Sequence, residues 1–407
     1  MPSLPLTPGT LPEYVELYRH LHAHPELSMQ EQQTAELITR RLAAVGADPK
    51  PCGGTGVVGV LRNGDGPVIA WRADTDGLPV LEQTGLPYAS TATGILPDGA
   101  EVPVMHACGH DSHTTAGLAL VELLATNRDL WAGTLVAIFQ PGEETAAGAV
   151  AMVDDGLWDL APRPEVVLGQ HSTALPRGRV QIKAGDAMAM ADSWRVTLHG
   201  RGSHGSQPQR SIDPVVMAAH AITRLQTVVS RETSPLTPAV VTVATIHAGL
   251  KENVIPSEAE LTLNIRTTEP TSRERVLAGV RRIIEAEAAA SGAPAPSIDV
   301  LYRFPRLYND PAHTAHVATA LRAGLGDDAV EEMTTIRMGS EDVGYLGDSI
   351  GVPTVYWFFG GHDPQTYDEA TTPGGHSPFY APGDGGIVET GIRAALSAVL
   401  AYLGRQR

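Results

Sequence analysis

The chain is poor in cysteine, in aromatic residues and in positive charge. Two cysteines among 407 residues exclude a disulfide framework and fit a reducing compartment. Lys and Arg total 29 against 46 Asp and Glu, a formal net charge of −17. A chain so acidic lacks the basic patch that a phosphate lattice requires, so nucleic acid is not an expected partner. Unbroken apolar runs all fall well short of 18 residues, and MPSLPLTPGT at the start has neither a basic lead nor an apolar centre. A soluble, cytoplasmic protein with no membrane partner is therefore expected. With only 5 Phe, 5 Trp and 10 Tyr, no pocket can be defined from aromatics.

What is present is an ordinary globular composition, 43% hydrophobic and 18% charged, long enough for two or three domains. Apolar spacing predicts a helix over Pro12–Val45, stopped by Gly46. Short apolar runs follow at Val57–Leu61, Val68–Trp71, Thr134–Phe139 and Val166–Gly169, as expected of strands buried on both faces of a largely parallel sheet. Asp111–Ala125 is a helix candidate with Asp111 or Ser112 as its N-cap. From about Ser193 the order becomes β-α-β-β-α-β: Ser193–His199, Asp213–Val229, Ala239–His247, Glu258–Thr267, Ser272–Ala290 and Ser297–Tyr302. After Pro305 the α/β character returns, with helix Ala312–Leu325, strand Pro353–Phe359 and helix Gly386–Leu403. The expectation is an α/β catalytic domain over 1–187 and 305–407, interrupted by a ferredoxin-like insertion over 188–304.

Chemistry concentrates at a few points. Met105 to His113 holds three histidines, Cys108 and Asp111, and Cys108 and His110 stand two apart. Such a loop is either a polar turn with incidental histidines or a site for zinc or another late transition metal. Strand Thr134–Phe139 runs into Glu143 and Glu144, Val166–Gly169 is followed by His171, and Val68–Trp71 by Asp74 and Asp76. Sites in open α/β sheets lie beyond the carboxyl ends of strands, so this sorting favours the metal site. Rival motifs fail on context. Gly54-x-Gly56-x-x-Gly59 precedes a strand, and Gly200-x-Gly202-x-x-Gly205 has no acidic residue placed to hold a ribose. Gly347-x-Ser349-x-Gly351 is followed by a strand where a serine hydrolase needs a helix.

Taken together, these motifs resemble the two-metal aminoacylase and carboxypeptidase family, metallopeptidase family twenty, in its branch of amidohydrolases, hippurate hydrolases and hydrolases of indole-acetyl amino acids. The carriers span nearly the whole chain: His24 to Leu27, Arg72 to Pro79, Met105 to His110, Phe139 to Glu144, Gly202 to Pro208, Asn253 to Pro256, Ser340 to Asp342 and His376-Ser377. The resemblance implies two divalent ions (Zn, Mn, Co or Ni) held by Cys108, His110, Glu144, His171 and His376. It implies Glu143 as general base, Asp76 orienting a metal ligand, and His204, Asn253 and Arg266 holding substrate. His106 and His113 are expected to be structural or to support the ligands from behind, and His22 and His24 to pack or face solvent. Thr75 and Gly77, Gly142 and the polar Ser206-Gln207-Pro208 depart from the branch's usual residues, which affects substrate choice and removes no ligand.

The implied activity is hydrolysis of N-acyl amino acids; a dipeptidase or carboxypeptidase is the close alternative, and a binding protein without turnover the distant one. The resemblance also implies a homodimer joined through the inserted domain, with His204 completing the partner's site.

Overall fold

The computed structural model describes residues 6, 7 and 9–405; residues 1–5, part of the stretch read above for a leader, lie outside them. The chain divides into two compact units. One comprises the residues up to Ala187 with Tyr308–Thr335 and the chain from Asp342 onward; the other comprises Met188–Leu307 with Ile336–Glu341. Residues 336–341 thus group with the second unit, whereas the sequence patterning leaves them in the first.

The first unit is α/β. Strands Gly133–Gln140, Val68–Asp74, Val166–Pro176 and Thr354–His362 lie side by side and parallel, and Val57–Asn63 joins antiparallel to Gly133–Gln140. Every residue of Gly133–Gln140 and of Thr354–His362 is buried, which is why these strands read as unbroken apolar runs and do not alternate. Because the four strands run the same way, Asp74, Gln140, His171 and His362 all emerge towards one edge of the sheet. Helices His110–Thr126 and Asp384–Leu403 pack against each other beside it, around Trp71, Trp131, Trp357 and Phe359. Asp384–Leu403 is long and apolar enough to span a membrane by composition, but it is mostly buried inside the protein.

Several boundaries differ from expectation. The single helix expected over Pro12–Val45 is two, Leu11–Ala23 and Gln32–Ala44. Pro25 has no N–H to continue the ladder and pushes His24 out of the helical region, to φ −131° and ψ 53°. The next helix begins at His110, one residue early. Gly109 precedes it in the left-handed region at φ 80°, and Asp111 lies in the first turn and is not the cap. Two strands run longer than their apolar cores, to Asp74 and to Pro176, so His171 sits within a strand. Ser349 ends the short helix Gly344–Asp348 and precedes a strand, far from a nucleophile elbow.

The second unit is a four-stranded antiparallel sheet in the order Ala239–Ala248, Glu258–Thr267, Met190–His199, Ser297–Phe304. Burial alternates along Glu258–Thr267 as it must when one face is covered. Leu261, Leu263 and Ile265 turn inward against helices Pro214–Thr227 and Pro270–Ala290. Asp213 caps the first of these by accepting from the N–H of Val215 at 2.9 Å.

Candidate metal centre

The loop that enters helix His110–Thr126 is shaped by close approach. A Cβ on Gly109 would lie 2.1 Å from Ser172 Oγ, so only glycine lets the Cys108 and His110 backbone come this near the strand carrying His171. The result is a cluster of donors at the carboxyl edge of the sheet. Ligand atoms of Cys108, His110 and His171 lie within 4.8 Å of one another, and those of Cys108, Glu144 and His376 form a second such group. Cys108 belongs to both. Its Sγ is 3.4 Å from His171 Nε2, and His376 Nε2 is 3.3 Å from Glu144 Oε1. His376 itself, at φ 68°, is the most exposed of the set, its side chain 59% accessible.

Hydrogen bonds aim these donors. His171 Nδ1 donates to the Ser172 carbonyl, which leaves the Nε2 lone pair facing Cys108. His110 Nδ1 lies 3.1 Å from Asp76 Oδ1, so its Nε2 points at the carboxylates of Asp74 (3.7 Å), Glu144 (3.9 Å) and Glu143 (4.0 Å). The other oxygen of Asp76 accepts from Ser28 Oγ and from the N–H of Glu144. Asp76 thereby orients one candidate ligand by its side chain and the next by its backbone. Glu143 and Glu144 sit on one turn of 3-10 helix after Gly142, which is left-handed at φ 55°.

Asp74 and His113 have another use. The N–H of Ser172 donates to His113 Nε2 at 2.7 Å, so His113 is neutral, with its proton on Nδ1 and directed at Asp74 Oδ1. Asp74 Oδ2 takes a bond from Arg72 Nη1 at 2.6 Å. Arg72 also reaches Gln140 Oε1 at 2.9 Å and Asp342 Oδ1 at 3.1 Å. Burial alone would raise the Asp74 pKa, but the charges of Arg72 and His110 and the hydrogen bond from His113 hold it well below the usual carboxylate range. His106 joins none of these groups, and burial lowers it to about 4.

The electrostatics call for a cation. Burial opposes charge on His110, yet Asp74, Asp76 and Glu144 raise its pKa to about 10. Burial pushes the Cys108 thiol well up, and Glu144, Glu143 and Asp74 push it further. A divalent ion reverses both effects by replacing the proton with a larger charge. The fit has a direct sign: His110 Nε2 and Glu144 Oε1 are buried with no hydrogen-bond partner among the described residues.

A profile of peptidase family M20/M25/M40 matches residues 70–386, most of both units. The chain belongs to that family. Over 285 residues it is 40% identical to an N-acetylcysteine deacetylase of Bacillus subtilis (strain 168), covering 69% of this chain and 72% of that protein. It is 36% identical over 311 residues to an N-acyl-L-amino acid amidohydrolase of Geobacillus stearothermophilus, covering 75% and 81%. Its fold matches a crystal structure described as a dinuclear metal-binding peptidase of the M20 family from Bacillus subtilis, with a TM-score of 0.75, 29% identity, and 97% and 99% coverage.

The three residues expected to hold substrate lie in the second unit. His204 and Asn253 are neighbours there, because Ser203–His204 pairs with Val254–Ile255. His204 Nδ1 accepts from the N–H of Ser206 at 3.1 Å, so its exposed Nε2 carries the proton and can donate to a carbonyl oxygen. Arg266 is held by Asn264 Oδ1 and Ser340 Oγ, each at 2.7 Å.

Sequence reasoning missed three groups. Arg72 stands in a motif, and no signal in the sequence marks it as buried beyond its place in an apolar strand. His22 was expected to pack or face solvent. It packs, buried between Asp111 (2.7 Å) and Glu82 (3.0 Å), partners the sequence does not reveal; burial opposes its charge, but these partners raise its pKa to about 9. His24 is exposed, with Nδ1 donating to the His20 carbonyl. Nothing in the sequence marks Glu31, which is also buried.

Proposed function

We propose that this protein is a metal-dependent amidohydrolase that cleaves N-acyl amino acids to a carboxylic acid and a free amino acid. One observation carries the reading: two donor groups share Cys108, both lie at the carboxyl edge of the sheet, and Glu143 stands next to them without belonging to either. Cys108, His110, Glu144, His171 and His376 would hold two divalent ions. Such ions supply Lewis acidity, which lowers the pKa of water and polarises a carbonyl.

This chain's residues do the rest. Glu143, buried and beside His110, takes the proton of the attacking water and returns it to the leaving amine as the C–N bond breaks. Asp76 keeps His110 and the Glu144 backbone in register. His204 and Asn253 are assigned to the substrate's carbonyl oxygen and Arg266 to its carboxylate; the guanidinium is already oriented by Asn264 and Ser340.

We place His204 in the site of a partner subunit within a homodimer. Supporting this, Ala239–Ala248 is an edge strand, and Ile246, Leu250 and Val254 are exposed near it. Mixing His204→Ala and Glu143→Ala subunits should then restore activity that neither has alone. The free thiols of Cys52 and Cys108 suit the cytoplasm, and neither nucleic acid nor a membrane is part of the proposal.

The test is a panel of N-acetyl, N-benzoyl and long-chain acyl amino acids against dipeptides, with metal content measured alongside. Turnover of the acyl amino acids is the expected result. Preference for dipeptides would assign the chain to peptide cleavage, and tight binding without hydrolysis in the metal-loaded protein would contradict enzyme function altogether.

A further inference from the structure

His24 to Leu27 carries part of the family resemblance, and neither it nor the stretch that follows to Glu31 takes part in the chemistry above. Its position explains what it does. Glu31 is fully buried, and among the described residues no cation pairs with it. Its Oε1 accepts from the N–H of Gly142 at 2.8 Å and of Met29 at 2.9 Å, and its Oε2 accepts from the Thr55 hydroxyl. Burying a carboxylate without a countercharge is costly unless donors surround it, and three do.

Gly142 is the residue before Glu143. It lies at φ 55°, and a Cβ there would sit 2.5 Å from Met29 Sδ. Met29 is likewise left-handed, at φ 63°, a conformation rare for a side chain of its size and one that needs support. The two left-handed residues pack face to face, and one carboxylate oxygen ties both backbones. Ser28, next in the chain, donates to Asp76 at 2.7 Å, and Asp76 accepts from the N–H of Glu144. The turn bearing both glutamates is therefore held at Gly142 by Glu31 and at Glu144 by Asp76, and residues 28–31 touch both anchors.

We infer that Glu31 is a positioning residue: it clamps the Gly142–Thr145 turn through the Gly142 N–H and so fixes where the Glu143 carboxylate meets substrate. The inference rests on Glu143 being the base. A displacement of that carboxylate by about 1 Å lowers the chemical rate by about 100-fold and leaves binding little changed.

Three variants test it. Glu31→Gln keeps an acceptor for both N–H groups, and Thr55 can reverse its hydroxyl to meet the new amide. Glu31→Met keeps the apolar volume and removes the acceptors. Glu31→Asp withdraws the carboxylate by one methylene and stands in if the Met variant does not fold. The Gln variant is expected to keep kcat within about threefold, and the Met or Asp variant to lose about 100-fold, with KM and metal content as in the wild type. Amide exchange in residues 141–147 should quicken in the Met or Asp variant and stay slow in the Gln variant. Wild-type kcat in the Met or Asp variant, a kcat loss that tracks metal loss, or a Gln variant as slow as the Met variant would each overturn the clamp. If the metal-loaded wild type hydrolyses no acyl amino acid, the assignment of the base fails, and the exchange measurement still decides whether Glu31 holds the turn.

Discussion

The two units spend their buried charge differently. The first packs Arg72, Asp74, Asp76, His110, Asp111, Glu143 and Asp342 out of solvent along one sheet edge. In the antiparallel sheet of the second, the buried Asp192 is closed off by Arg273 at 2.8 Å and Arg303 at 3.1 Å. An ion pair of the second kind finishes a fold: its partners satisfy each other and ask for nothing more. The first kind leaves carboxylates converging on His110 and a thiol pushed upward by burial and by their charge, an arrangement that is complete only around a cation. Buried polarity with a residual demand marks a site; buried polarity that balances marks structure.

The sharpest way to break this contrast is to neutralise one group in each unit. Glu143→Gln should lower kcat by about 10³- to 10⁴-fold while metal content and thermal stability hold, since it removes a proton acceptor and no packing. Full activity in a metal-replete variant would remove Glu143 from the mechanism. Asp192→Ala should do the reverse. Losing the acceptor for Arg273 and Arg303 should cost about 4 kcal/mol of stability by denaturant unfolding, with the metal content of the folded protein unchanged. A loss of bound metal without destabilisation would erase the distinction between the units.

His22 tests whether a buried pair in the first unit can also be purely structural. Its folded pKa of about 9 lies above the ordinary 6.5, so its stabilisation is complete below pH 6.5 and is lost as pH rises through 9. The shift corresponds to about 3 kcal/mol at its largest. Comparing His22→Gln with the wild type should show a gap of that order at pH 6 that narrows between pH 6.5 and 9. A gap independent of pH would mean that folding leaves the His22 pKa at its ordinary value, and a gap that widened as pH rose would mean that His22 is neutral in the folded protein. The smallest effect belongs to Arg266→Lys, which keeps the charge but loses the fork held by Asn264 and Ser340. KM for an acyl amino acid should rise about tenfold at constant kcat. An unchanged KM would free Arg266 from the substrate carboxylate.

How much of this was legible in sequence depends on how far apart the partners are. The strands that lead to Asp76, Glu144 and His171 are legible, because apolar runs buried on both faces need no distant context, and Cys108 is legible from the density of histidines around it. So is the β-α-β-β-α-β order of the second unit, where period-2 and helical patterns alternate cleanly. The strand ending at Gly169 was cut short because Gln170 is polar; it continues since Gln170 donates to the Gly391 carbonyl and accepts from Trp357 Nε1. Pro25 was present to break the first helix and was outweighed by helical spacing on both sides. Glu31, His22 and Arg72 were not legible: Gly142 lies 111 residues from Glu31, Asp111 lies 89 from His22, and Asp342 lies 270 from Arg72. A lone charged residue reads as surface until the chain that covers it is known.

The central claim is that the donors around Cys108 bind the ions that activate this enzyme. Its most direct test is a titration of chelator-treated protein with zinc, manganese, cobalt or nickel, following hydrolysis of an N-acyl amino acid against ions bound per subunit. Activity should be absent without metal, rise with occupancy and level off at two ions. Undiminished turnover after complete chelation, or two bound ions with no hydrolysis of any acyl amino acid or dipeptide, would contradict it.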